Sequence, residues 1–256
     1  RRQRQMCIRD RYGPQKNTSR LLTTYLNYNK YIDAWKSSID ATVGYDYQHW
    51  KSTSPQYSEL NILAEPQSTT AATDQRHVLL SYYARLNYTF DSRYMLTATM
   101  RRDGTSRFNS DNRWGTFPSV ALAWRVSEEA FLKDNPVLSN LKLRASYGVT
   151  GQQDGIGNYN YLPVYTASQT GAEALFGNQY TTTYRPEAYV SGLKWETTTA
   201  WNVGFDFGLL KDRITGSFDY YTRQTKDLLA TVASPAGVNF DKNILTNVGN
   251  VDSQGI

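Results

Sequence analysis

Between Val78 and Phe90 every second residue is apolar or aromatic: Val78, Leu80, Tyr82, Ala84, Leu86, Tyr88 and Phe90. Ser81, Arg85, Asn87 and Thr89 hold most of the positions between them. Side chains alternate between faces along a strand, so this pattern makes a β-strand with one dry face and one wet face. Its length constrains the fold further. A globular strand commonly has about five or six residues, whereas a strand that crosses a bilayer needs about nine to eleven. The same long pattern recurs along the chain, so the dry face must meet either a protein core or lipid.

Eight strands are predicted: Leu21 to Tyr28, Ser38 to Trp50, Val78 to Phe90, Tyr94 to Arg102, Gly115 to Val126, Leu141 to Thr150, Thr197 to Leu209 and Arg213 to Thr222. On the sixth, Leu141, Leu143, Ala145, Tyr147 and Val149 oppose Lys142, Arg144, Ser146, Gly148 and Thr150. Short links such as Asp91-Ser92-Arg93 and Leu210-Lys211-Asp212 alternate with long polar segments at Lys51 to His77, Asp103 to Trp114, Gly151 to Glu196 and beyond Arg223. The link from Ser127 to Asn140 is of intermediate length, and Glu128 to Leu132 is expected to form one helical turn with Ser127 as its N-cap. A meander with short turns at one end and long loops at the other is the pattern of an outer-membrane barrel. A soluble sandwich uses Greek-key links and has no reason to gather its long loops at one end, and long structureless loops are uncommon in a compact domain.

Composition excludes several other classes. Mean hydropathy is −0.61, and no apolar run reaches the roughly eighteen residues of a membrane helix. A barrel is compatible with that value, because its lumen face and loops are polar. The net charge of +5 is spread along the chain, with no basic stripe interleaved with aromatics, so nucleic acid is not an expected partner. The chain has 20 Tyr, 9 Phe and 6 Trp. Tyr28, Trp50, Phe90, Tyr94, Trp124 and Phe207 stand near strand ends, where a barrel carries its interfacial girdles and a soluble protein its ordinary core aromatics.

No catalytic site is read, and no cofactor is expected. His49 and His77 have no ligand-spaced partners and read as surface or rim residues. Asp103, Glu128, Glu129 and Asp134 are not paired as acid and base, and Glu128-Glu129 reads as a solvated turn. No Gly-x-Ser-x-Gly elbow is present. Arg101 to Phe108 reads as a strand end entering a loop, with Asp103-Gly104 as turn residues; the alternative is charge placed at a polar rim. The Gly151 to Tyr189 segment is rich in Tyr, Asn, Gln and Gly. Its Tyr159, Tyr161, Tyr165 and Tyr184 are candidates for contact with polar ligands such as sugars or peptides, against the alternative of a solvated loop packed on its neighbours.

Met6-Cys7-Ile8-Arg9-Asp10-Arg11 resembles a translated frame of a transposon sequencing adapter. Residues 1–11 are therefore expected not to be protein-derived, with a basic tail as the alternative; residues 12–256 are expected to be barrel, part of a longer protein.

Several motifs occur together and in order: Phe90-Asp91-Ser92-Arg93-Tyr94, Arg101-Arg102-Asp103-Gly104-Thr105-Ser106-Arg107-Phe108, Trp114-Gly115-Thr116-Phe117-Pro118-Ser119, Ala123 to Glu129, Leu141 to Gly148, Gly151-Gln152, Trp195-Glu196-Thr197-Thr198 and Asn247 to Val251. This series resembles the TonB-linked (TonB-dependent) outer-membrane transporters of the SusC/RagA type, with Thr105 where Ser is usual and Gly151-Gln152 where Gly-Asn is commoner. The resemblance implies an all-β fold: eight or nine antiparallel up-and-down strands of a barrel of about twenty-two, with the N-terminal plug lying outside this stretch. It implies import of large nutrients, often oligosaccharides or peptides, across the outer membrane of Bacteroidota. It implies a SusD-like lipoprotein and the TonB complex as partners, and lipid around the wall. In such a parent Arg85, Arg101, Lys142, Arg144 and Asp206 should face the lumen and Leu143 the lipid. The competing readings are a soluble β-rich glycan-binding module and a β-sandwich hydrolase; the second lacks a carboxylate pair.

Overall fold

The computed structural model describes residues 15–60, 62–63, 66–133, 135–168, 172–235 and 241–256. The predicted adapter-like stretch and Asp134 lie outside them. Period-two patterning becomes nine wall strands: β1 (Lys16–Ile32), β2 (Ser37–Ser54), β3 (Thr73–Phe90), β4 (Tyr94–Thr105), β5 (Trp114–Arg125), β6 (Leu138–Gln152), β7 (Glu196–Leu209), β8 (Ile214–Lys226) and β9 (Asn250–Gly255). They form one 9-stranded sheet in which each strand pairs antiparallel with its neighbours in sequence. Sequential pairing of this kind is the up-and-down meander that the short links require. The strands run longer than the alternation alone indicated: β3 has 18 residues, because its backbone pairing with β2 continues from Val78 back to Thr73.

Register makes the two faces continuous across the sheet. Val43 lies opposite Ala84, Ala84 opposite Met100, Met100 opposite Pro118, and farther on Leu143 lies opposite Phe205 and Phe205 opposite Phe218. The dry face is bare: Leu122 is 54 % exposed, Leu143 41 % and Val203 56 %. Apolar side chains in this number are not left uncovered in a soluble fold. The opposite face carries Arg85, Arg101, Lys142, Arg144 and Asp206 in one phase, as expected. On β1 that face also holds Leu21 and Tyr25, which departs from the pattern.

The short ends are tight. Asp91 and Ser92 adopt φ of 47° and 54°, and the Arg93 N–H donates to the Phe90 carbonyl at 3.0 Å. Two left-handed residues match the right-handed twist of the flanking strands, as in a type I′ hairpin. The β5–β6 link departs from expectation. Its helical turn is a 3-10 turn at Val126–Glu128, preceded by Arg125 and without a side-chain cap, so Ser127 lies inside it. A second turn follows close to the expected Glu128 to Leu132 position, where the Leu132 and Lys133 N–H groups donate to the Glu129 carbonyl at 2.9 and 2.8 Å.

Long connections gather at the other end. Among the described residues, four two-stranded pairings form there, joining Tyr57–Leu60 with Pro66–Thr70, Tyr165–Ala167 with Tyr184–Pro186, Ala174–Phe176 with Gln179–Thr181, and Leu229–Ala233 with Asn243–Asn247. No described helix is long and apolar enough to cross a membrane, which says nothing of strands.

Candidate functional site

At the long-loop end the polar face is roofed by a small dry core. Phe108 and Leu193 are fully buried, and Ile156, Trp195 and Phe117 nearly so, with Leu79, Val149, Leu229 and Leu245 packed around them. The Trp195 ring lies 5.4 Å from both Phe108 and Phe117, and its Nε1–H donates to the Arg113 carbonyl at 3.3 Å. Asn109 and Asn112 donate to the carbonyls of Ser191 and Gly192 at 2.6 and 3.2 Å. Asn247 bridges the Lys194 backbone and the Asp227 carbonyl. Three long connections are thereby fixed to each other and to β3 and β5. Sequence reasoning missed this core. The available signal was Leu79 and Phe117, large apolar side chains standing in the wet phase near their strand ends.

The Arg101–Phe108 stretch takes a different form from the predicted turn. Asp103 and Gly104 continue β4, opposite Gly115 and Trp114. Gly104 is needed because the Trp114 ring lies over it: a Cβ there would stand 2.8 Å from the indole. Arg102, on the dry face, sits 5.3 Å over the same ring. Arg101, on the wet face, donates to Asp103 at 2.8 Å and to Ser81 at 2.9 Å and lies 3.6 Å from Asp46. A second such group joins Arg144 to Asp206 at 2.8 Å and to Asp219 at 3.0 Å. These pairs place complementary charges along the polar wall rather than one sign of field.

Below the roof, a cavity of about 660 Å³ opens on the polar face of β1, β2 and β3, lined by Asn17, Trp50, Ser52, Gln75, His77 and Asn158 among others. Two expectations change here. Trp50 does not join a lipid girdle; it shares the phase of Asp46 and Gln48, and its ring stacks on His77 at 4.7 Å and 11°. His77 is not a surface residue; it is 7 % exposed and lies 3.2 Å from the Thr105 hydroxyl. Of the four candidate tyrosines, Tyr159 comes nearest, its hydroxyl accepting the Arg76 N–H at 3.2 Å. Tyr161 is half-buried, and Tyr165 and Tyr184 are exposed on their hairpin, away from the cavity lining. A larger apolar concavity of about 1010 Å³ lies on the dry face, among Tyr94, Leu122, Trp124, Leu143 and Phe205, and belongs to the belt.

At the short end the solvated-turn reading holds for Glu128, which is exposed, but not for Glu129. Glu129 accepts from the Tyr94 hydroxyl at 2.6 Å, Trp124 Nε1–H at 3.0 Å and Arg93 at 3.2 Å. These donors hold its carboxyl below the usual carboxylate range, the Tyr94 bond contributing most. Tyr94 and Trp124, stacked at 6.2 Å, stand on the dry face as an interfacial pair.

The profile of the TonB dependent receptor-like, beta-barrel family matches residues 3–256. The chain belongs to that family of outer-membrane β-barrels and, within it, to the SusC/RagA type. It is similar to the TonB-dependent receptor SusC of Bacteroides thetaiotaomicron, with 44 % identity over 90 % of this chain and 24 % of SusC. It is also similar to the TonB-dependent receptor P39 of Formosa agariphila, with 35 % identity over 90 % of this chain and 22 % of P39. Among solved structures, the RagAB peptide transporter matches with a TM-score of 0.75 and 25 % identity, covering 94 % of this chain and 27 % of that one. The chain thus spans about a quarter of the length of these relatives.

Proposed function

We propose that this chain is a wall segment of a transporter that imports large polar nutrients, oligosaccharides or peptides, across the outer membrane. The observation that carries the reading is the pairing of a bare apolar belt on one face with a charged, hydrogen-bonding wall on the other, roofed at the long-loop end. Such a wall excludes lipid from a hydrated interior and leaves polar groups for cargo. The family supports energy coupling through the TonB complex and a SusD-like lipoprotein over the mouth. The wall's role is binding and passage, not catalysis. A soluble glycan-binding module is disfavoured by the exposure of Leu122, Leu143 and Val203.

The test is uptake in cells lacking the full-length gene, complemented with the wild type. Labelled oligosaccharide and peptide pools should accumulate in a manner that depends on both the gene and the proton-motive force. Accumulation of neither pool above the deletion strain contradicts the reading.

A further inference from the structure

We infer that the cavity at Trp50 is a subsite for a neutral sugar ring; this deepens the importer reading and rests on it. The first support is the aromatic platform. Trp50 lies on the polar face, is 37 % exposed and lines the cavity, with its ring backed by His77. His77 is itself buried and held by Thr105, so the indole is fixed before any ligand arrives. A rigid amphipathic ring offers a large contact area at little ordering cost.

The second support is the polar lining. Asn17, Ser52, Gln75 and Asn158 surround the platform with short amides and a hydroxyl. Each both donates and accepts, which matches the two-way hydrogen bonding of sugar hydroxyls. The third is charge. The cationic lining residues have acidic neighbours: Arg107 lies 3.9 Å from Asp154 and Lys51 3.3 Å from Asp74. Both lining cations thus have a carboxylate within 4 Å, Asp74 being shared with Arg76, which favours a neutral sugar over an acidic one. The cavity volume falls within the roughly 300–1,000 Å³ of small-molecule sites.

The experiment uses the full-length transporter in the complemented deletion strain, with labelled neutral gluco-, fructo- and manno-oligosaccharides and a labelled tryptic peptide pool. Surface assembly is checked by heat-modifiable mobility. Trp50→Ala should weaken apparent affinity for oligosaccharide about tenfold, and Trp50→Phe should restore most of it. Asn158→Ala, on a loop outside the strand pairing, should weaken it a few-fold, so the result does not hang on whether Trp50→Ala assembles. Oligosaccharide uptake indifferent to both Trp50→Ala and Asn158→Ala overturns the subsite and leaves the importer reading standing. So does uptake of peptides alone, or equal loss of both cargoes in these variants. Uptake of neither cargo by the wild type overturns the importer reading and the subsite with it.

Discussion

Glu129 shows how much one carboxylate can organise at a membrane boundary. It joins Tyr94 of β4, Trp124 of β5 and the turn residue Arg93. Its carboxyl titrates below its ordinary value in the folded state. A depressed carboxylate contributes stability above its unfolded pKa and loses it as pH falls through the folded one. The full-length protein in detergent should therefore lose part of its resistance to denaturant below about pH 4.5, and Glu129→Gln should flatten that part of the profile; an acid limb unchanged in the variant contradicts the assignment. Leu143 and Arg144 test the faces directly. Arginine at mid-bilayer on the lipid side costs about 2–4 kcal/mol, so Leu143→Arg should lower the folded fraction in outer membranes more than Arg144→Leu. The second substitution frees Asp206 and Asp219 only on the polar side. Equal folded fractions would mean that the faces are wrongly assigned.

At the scale of elements, what was legible in the sequence depended on whether period two held. It held for β2 to β8, and their existence, order and facing followed from it. It failed where tertiary contacts took over. Asp103-Gly104 carries turn chemistry, yet it remains strand because Trp114 needs a bare position beneath its ring. The roof is built by Phe108, Ile156, Leu193 and Trp195, which sit in non-periodic segments, so no local pattern announces it. Trp50 was the recoverable error: its phase with Asp46 and Gln48 already put it on the wet side. Two substitutions probe these elements. A Cβ at Gly151 would stand 2.0 Å from the Phe117 ring, so Gly151→Val should displace that ring and destabilise the folded barrel by about 1–3 kcal/mol, read as a lower denaturant midpoint. Ser92→Gly should raise that midpoint, since a non-glycine residue at φ 54° carries a strain of about 1 kcal/mol that glycine lacks. A midpoint unmoved by either would mean that the loop core and the β3–β4 turn contribute nothing to stability.

At the scale of the whole molecule, the sheet has β1 at one end and β9 at the other, each paired on one side only. Unpaired backbone is not tolerated in lipid, so residues 12–256 alone should give no stable conductance in planar bilayers; steady channels would contradict that. The wall functions as part of a closed barrel, and its two faces are the central claim. The most direct test is a nitroxide scan of β6 from Leu141 to Gln152 in the full-length protein, reconstituted in lipid and read by collision with oxygen and with a polar nickel chelate. Leu141, Leu143 and Ala145 should favour oxygen and Lys142, Arg144 and Ser146 the chelate, with the alternation fading towards Val149, where β6 meets the roof. A scan without alternation, or with chelate access at Leu143 equal to that at Arg144, would contradict the account.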